Sequence, residues 1–468
     1  MQLNSDIIRN TEIIDRVLQP EKSFDVIRRD FIVGGRMAVL YFIDGFIKDE
    51  MFEKVMEFLF KIKPEEIKDI KNMEQYMLSF MPYVEVGHES ESSNVITGIL
   101  SGPAAMLIDG IDGALIIDVR EYPVRSIEQP EKDRSLRGSR DGFVETLIFN
   151  TCMLRRRIRD PRLRMEYLQI GNSSKVDLAV CYMDGIADEK LVEKLKERIK
   201  SIDLDGISMT AQAISEKLVP SSFFNPFPKI RFSERPDYTS ACILEGKVAL
   251  FMDTSPSVML FPTSFADFTK ETDDYYFPPL TGSYVRIVRL IISICTVLLT
   301  PLTLLLLNNP QWIPDFLEFI KPKTQAQISI FAQFLLLELI VDGLRLASLN
   351  TPDSQSNALG IVGGLLLSEF AVNAGWFVPE TIIYISFVSI ASYSQPSFEM
   401  GYAMKFIRML SLILTQFFGI YGFITGFVAG FLTMAFSKTL SGRSYLYPLI
   451  PFNPKDVLKL FVRTPIKK

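Results

Sequence analysis

One histidine in 468 residues is the shortage with the widest consequences. His88 stands alone in the polar stretch GHESESS, where a solvated loop is expected. With no second imidazole, neither a histidine-based metal centre nor a paired-histidine proton relay can be built within one chain. The four cysteines, Cys152, Cys181, Cys242 and Cys295, have no close spacing, which excludes a zinc site or a disulfide framework and leaves buried thiols. No phosphate-binding loop, dinucleotide fingerprint, nucleophile elbow or paired-carboxylate signature is found. An enzyme is therefore not expected, and no metal, cofactor or nucleic-acid partner is called for. The N-terminus, MQLNSDIIRNTEIIDRVLQPEKS, lacks the apolar core of a signal peptide, so residues 1–283 are expected to stay in the cytosol.

What is present is unevenly distributed. Of 50 Lys+Arg and 55 Asp+Glu, 14 and 9 lie from Tyr284 onward, leaving 36 and 46 before it. The net charges are +5 for the second part and −10 for the first. An acidic, water-soluble half followed by an apolar half with sparse, mostly basic charge reads as a soluble region attached to a membrane region.

Within the soluble half two segments echo one another. MAVLYFIDGFIKDEMFEKVMEFLFKI, from Met37, matches DLAVCYMDGIADEKLVEKLKERIKSI, from Asp177. Each is an apolar strand, an Asp-Gly pair (Asp44-Gly45, Asp184-Gly185), an acidic helix start and an amphipathic helix. A second echo, I-L-x-G-x-x-A-x-x-[IM]-D, ends at Asp109 and Asp253. Two matched pieces in the same order argue for a duplicated α/β unit. The Asp-Gly pairs read as strand-to-helix turns, not catalytic acids. Asp112-Gly113 signals a hairpin in which both turn positions need positive φ, and each copy is expected to hold a small mixed sheet. Between the copies Ser139 is placed to cap a helix running to about Ile158. Its last turn carries Arg155, Arg156 and Arg157, suited to the negative end of the helix dipole, to acidic headgroups or to a neighbouring subunit.

The expected organisation is a polar segment (1–24), a first α/β subdomain (25–135), a connecting helix (136–162), a second α/β subdomain (163–283), a polytopic helical membrane domain (284–434) and a basic cytosolic tail (435–468). Five apolar segments fall in the membrane domain. The first has 18 uncharged residues from Leu290, enough to span, with Arg286 and Arg289 marking its cytosolic end. The second, Ala326–Leu349, carries Glu338, Asp342 and Arg345 on nearby helical positions. It reads either as a surface helix or as a buried one with paired charges lining an ion path. Glu369 lies in the third segment and Glu380 opens the fourth. QPSFEMGYAMKFIR reads as a linker. The last segment has Gly419, Gly422, Gly426 and Gly430 in a close-packing stripe. Cytosolic flanks require an even number of spans, so the count stays between four and six.

These residues resemble a known family. RGSRDGFVETLIFNTCMLRRRIRDP is similar to the signature of bacterial spore germination A-subunit proteins, carried here by Arg137, Gly138, Gly142, Phe143, Glu145, Asn150, Arg155, Arg156 and Arg157, with Ser139 where the family usually has proline. ELIVDGLRLASLNTPDSQSNALG and its continuation to FIR resemble the family's membrane core, placing its acidic and basic positions on Glu338, Asp342, Arg345 and Glu369. LNTPDSQSNALG, FVPETIIY, QPSFEMGYAMK and YLYPLIPFNP resemble the stage V sporulation protein AF branch. The resemblance implies a multi-pass protein of the spore inner membrane acting in germination. It also implies a homo-oligomeric ring, a pentamer, in contact with membrane lipid, with an ion conduit, a small membrane partner protein and other germination proteins as associates. A nutrient-receptor A subunit and a non-conducting scaffold are the alternatives.

Overall fold

The computed structural model describes residues 1–122, 138–202, 210–219, 222–271, 273–349, 351, 360, 363–364 and 370–463. The chain divides into two compact units, residues 1–220 with 230–262, and residues 221–229 with 263–468.

The first unit holds two five-stranded sheets of identical topology. One runs β1 (Val26–Val33), β2 (Arg36–Ile43), β4 (Ala104–Ile108), β5 (Ala114–Ile117), β3 (Val86–Glu89). The other runs β6 (Leu163–Ile170), β7 (Val176–Met183), β9 (Val248–Met252), β10 (Val258–Phe261), β8 (Arg231–Ser233). Every pairing is antiparallel, so the mixed sheet expected for each copy is corrected. A helix follows β2 but returns the chain by way of further elements, leaving no parallel crossover. His88 is exposed on edge strand β3, not in a loop.

The central strands are covered on both faces, which makes them continuous apolar runs. Period-2 alternation still sorts them. Ala38, Leu40, Ala104, Met106 and Ile108 face one buried cluster, with Met56 and Leu59 of the Asp49–Lys61 helix. Val39, Tyr41, Ala105 and Leu107 face the other, with Ile7, Ile14 and Leu18 of the Ile7–Leu18 helix. Both Asp-Gly pairs are strand-to-helix turns, with Gly45 at φ +75° and Gly185 at φ +73°. The hairpin between β4 and β5 forms, but its positive-φ residues are Gly110 and Gly113; Asp112 is not one of them.

The duplication reaches further than the two sequence echoes. Asn10 and Asn150, 140 residues apart, make the same two bonds. Asn10 Nδ2 donates to the Asn4 carbonyl (2.6 Å) and its Oδ1 accepts from the Asn4 amide (3.2 Å). Asn150 does this with Val144, at 2.6 and 2.8 Å. The hydroxyls of Thr11 and Thr151 each donate three residues back, to Ile8 and Ile148, at 2.9 Å. The helix between the copies, Leu147–Arg157, is thus also the first element of the second copy, matching Ile7–Leu18.

That helix is shorter than expected. It starts after Thr146, and Ser139 caps nothing: its hydroxyl bonds Asp141 and accepts from Arg157 (2.7 Å). The segment before it is tied back by the Asn150 side chain, which bonds both the amide and the carbonyl of Val144. Its three arginines serve separate contacts. Arg155 is buried, with Nε 2.7 Å from Asp25 Oδ2 and further bonds to the carbonyls of Asp160 and Leu163. Arg156 lies over the Tyr122 ring at 4.6 Å and Arg157 pairs with Asp141. Cys152 Sγ donates to the Asp44 carbonyl at 3.1 Å, and burial pushes this thiol up to about 12.

The second unit is mostly helical. Two of its helices, Pro279–Asn308 and Phe398–Phe436, are long and apolar enough to cross a membrane, with mean hydropathies of 2.6 and 1.7. Ile330–Leu349 and Pro379–Tyr393 stand beside them. Pro301 sits inside the first without ending it. The stretch read as a linker is corrected: from Phe398 it forms the opening turns of the long helix, capped by Ser397, whose Oγ accepts from the Met400 amide.

Candidate functional site

Charge in an apolar helical region is costly unless paired, so the charged side chains of the second unit locate its polar centre. Glu338 and Asp342, four apart on the Ile330–Leu349 helix, face Lys405 and Arg408, three apart on the Phe398–Phe436 helix. Lys405 Nζ lies 3.0 Å from Glu338 Oε2 and 2.6 Å from Asp342 Oδ2. Arg408 Nε and Nη2 lie 2.8 and 2.7 Å from Glu338 Oε1, and Nη1 donates to the Thr296 carbonyl at 2.9 Å. Three helices therefore meet at four charges that sum to zero. Glu338 and Arg408 are nearly inaccessible, while Asp342 keeps partial exposure.

The sequence places Arg345 one turn beyond Asp342 as a companion charge. The structure turns it elsewhere. Its guanidinium lies 4.2 Å from the Phe398 ring centroid, 5.0 Å from Tyr393 and 5.3 Å from Tyr402, a face-on aromatic enclosure for a cation. Glu380, in the first turn of Pro379–Tyr393, accepts the Lys323 amide at 3.4 Å and shares no ion pair with the cluster among the described residues. Glu369 lies outside the described residues. So does Arg137 of the signature; Gly138, Gly142, Phe143 and Glu145 lie ahead of the signature helix, Phe143 packed edge-on against Phe251 at 5.2 Å.

Lys405 and Arg408 are the functional candidates the sequence reading missed. The signal was available: two bases at helical spacing with a helix-capping Ser397 ahead of them. Gln333 is a second such residue. Fully buried, its Oε1 accepts from the Val378 amide (3.0 Å) and the Thr381 hydroxyl (2.8 Å), pinning the start of one helix to another. Ser293 and Gln395 are also joined, at 2.8 Å. Arg286 and Arg289 are not bare flanking cations. Both reach the fully buried Asp274 carboxylate, at 3.3 and 2.9 Å, and Arg289 also meets Glu271.

The glycine stripe has a definite use. Gly419, at φ +57° and ψ −132°, interrupts the Phe398–Phe436 helix. Beyond it the chain folds back. A Cβ on Gly422 would enter the Leu414 backbone, one on Gly426 would stand 2.6 Å from Ser411 Cα, and one on Gly430 would stand 2.9 Å from the Ile407 side chain. Partner numbers fall as glycine numbers rise, so the two arms are antiparallel and at backbone contact. The arm bearing Lys405 and Arg408 packs closely against the other over this stretch.

Comparison with known proteins gives the following. The model of the Bacillus/Clostridium GerA spore germination protein family matches residues 12–468. Stage V sporulation protein AF of Bacillus subtilis (strain 168) is 36% identical over 461 residues, 97% of this chain and 92% of that one. Spore germination protein KA of the same organism is 30% identical over 95% of this chain and 82% of that one. The crystal structure of the N-terminal domain of the A subunit of the Bacillus megaterium spore germinant receptor GerK3 aligns with a TM-score of 0.43 at 25% identity, covering 57% of this chain and 98% of that one.

Proposed function

The chain belongs to the Bacillus/Clostridium GerA spore germination protein family, and from that premise we propose that it is a subunit of an oligomeric ion-conducting assembly of the spore inner membrane that promotes germination. The observation that carries this reading is the four-charge cluster of Glu338, Asp342, Lys405 and Arg408 among apolar helices. A bundle needing only stability is served as well by apolar residues there. A conduit needs groups that can exchange partners with a passing ion. Asp342, the member with partial exposure, is the entry point, and Lys405 bridges it to the buried Glu338. The soluble half faces the spore core, and the associates are a small membrane protein and other germination proteins.

The test is cation flux through proteoliposomes holding the full chain with its partner. Wild type should conduct, and Asp342→Asn should change the rate or the ion preference at unchanged protein incorporation. No flux under any condition supports a scaffold. A second reading is an A subunit of a nutrient germinant receptor, which the resemblance to germination A-subunit proteins offers; Spore germination protein KA is 30% identical to this chain. Co-purification with a germinant-sensing subunit distinguishes that reading from the first.

A further inference from the structure

The first unit contains one copy-to-copy interface, and that interface leaves an unfilled equivalent. The second copy's first helix, Leu147–Arg157, is laid against the first copy's Asp44-Gly45 turn. A Cβ on Gly45 would be 2.5 Å from Cys152 Sγ and 2.9 Å from Ile148 Cγ2. Phe46 and Leu100 of the first copy are buried, 0% and 1% exposed, in one cluster with Cys152, and the Tyr122 ring also packs edge-on against Phe46 at 5.2 Å.

The same surface on the second copy is bare. Among the described residues, Gly185 has nothing within 4 Å of where its Cβ would be. Ile186, which matches Phe46, is 42% exposed, and Leu244, which matches Leu100, is 49% exposed. The first copy's own first helix, Ile7–Leu18, is the counterpart of Leu147–Arg157. Ile8, the counterpart of Ile148, is 66% exposed. Donor and acceptor surfaces of one interface are therefore both present and both open at opposite ends of the repeat.

We propose that the Ile7–Leu18 helix of one chain docks on the Asp184-Gly185 turn, Ile186 and Leu244 of a second copy of this chain, repeating between chains the contact made within each. Such a contact is heterologous: each chain gives one surface and receives on another, which generates a ring if the rotation closes. The buried ion pair of the internal contact is not repeated, because Asp15 and Met165 stand where Arg155 and Asp25 would be. The contact between chains is accordingly the weaker, and relies on the membrane to hold subunits at high effective concentration. The proposal deepens the oligomeric reading and rests on it.

Full-length protein in membranes tests this by cysteine cross-linking. Ile8→Cys mixed with Ile186→Cys should give a cross-linked dimer that neither variant gives alone, and one chain carrying both should give a ladder of higher species. Both positions are exposed, so folding is not at risk. Leu244→Glu should weaken association about tenfold, as loss of a central apolar contact does. Cross-links only between like positions, or an oligomer unchanged by Leu244→Glu, overturn the docking while leaving the oligomer standing. A monomer in every sample overturns both this interface and the oligomeric reading.

Discussion

Asp25 and Arg155 lie 130 residues apart in the chain, and Arg155 Nε donates to Asp25 Oδ2 at 2.7 Å. Arg155 is the last-turn residue of the signature helix and Asp25 precedes β1, so this buried pair ties the second copy to the first. Ser23 adds a third partner, its Oγ accepting from Arg155 and from the Met165 amide (3.2 Å). Removing one member of a buried pair leaves the other charge uncompensated, at a cost of ~3–5 kcal/mol. Asp25→Ala should therefore lower the unfolding free energy of the full protein by that order, and Asp25→Leu with Arg155→Met should recover most of it. Chemical denaturation of the three proteins checks this; a double variant no better than the single would refute it.

The four-charge cluster of the second unit gives a second expectation. Arg408 uses three nitrogens, two on Glu338 and one on the Thr296 carbonyl, a fork that lysine does not reproduce. Arg408→Lys should lower the yield of folded protein in detergent nearly as much as Arg408→Met. Lys405→Arg, at a position that needs a point charge between two carboxylates, should be tolerated. Size-exclusion profiles after extraction distinguish the four proteins.

Close packing at the hairpin predicts a graded response to one methyl group. Gly422→Ala and Gly426→Ala place a Cβ inside the opposing backbone and should cost about 1–3 kcal/mol each. Gly343, helical with nothing near its Cβ position, is the control: Gly343→Ala should be neutral or stabilising by up to ~1 kcal/mol. Thermal unfolding in one detergent orders the variants. Equal melting temperatures for all three would show that the arms are not in contact.

Buried thiols predict a pH effect with a fixed sign. Burial raises the Cys152 thiol to about 12 and raises that of Cys181 as well. The folded state thus keeps a proton that the unfolded chain loses above roughly pH 8.5. Stability contributed by the neutral thiol is complete below that pH and is lost as pH rises toward about 12. Cys152→Ala should flatten this dependence between about pH 8.5 and 10. In wild type at pH 8, maleimide should label Cys152 and Cys181 only after denaturant is added, which mass spectrometry reads directly.

The duplicated fold was legible because its signals are local. Asp-Gly turns and the I-L-x-G element sit within a few residues of what they determine. The third echo, Asn10-Thr11 with Asn150-Thr151, was missed because its neighbours differ in polarity: Glu12 in one copy is Cys152 in the other. That difference reflects the one helix being open and the other covered. In the second unit Lys405 and Arg408 interrupt an apolar run at the point where the helix continues. Their acids lie about 70 residues earlier in the chain, as the 70-residue separation of Arg408 and Glu338 shows. No local pattern carries a pairing of that span. The glycine stripe was legible as a packing surface, but its partner is the chain's own preceding turns, a fact set by the single backbone geometry of Gly419.

That reversal at Gly419 also decides where the two ends of the paired arms emerge. A hairpin brings its two ends together, so Phe398 and Phe436 lie at the same end of the paired arms. The basic residues that follow, among them Lys438 and Arg443, thereby share that end with Ser397 and the start of the Lys405 arm. The two flanks of the hairpin are thereby tied together at one end, not set at opposite ends of a single 39-residue rod.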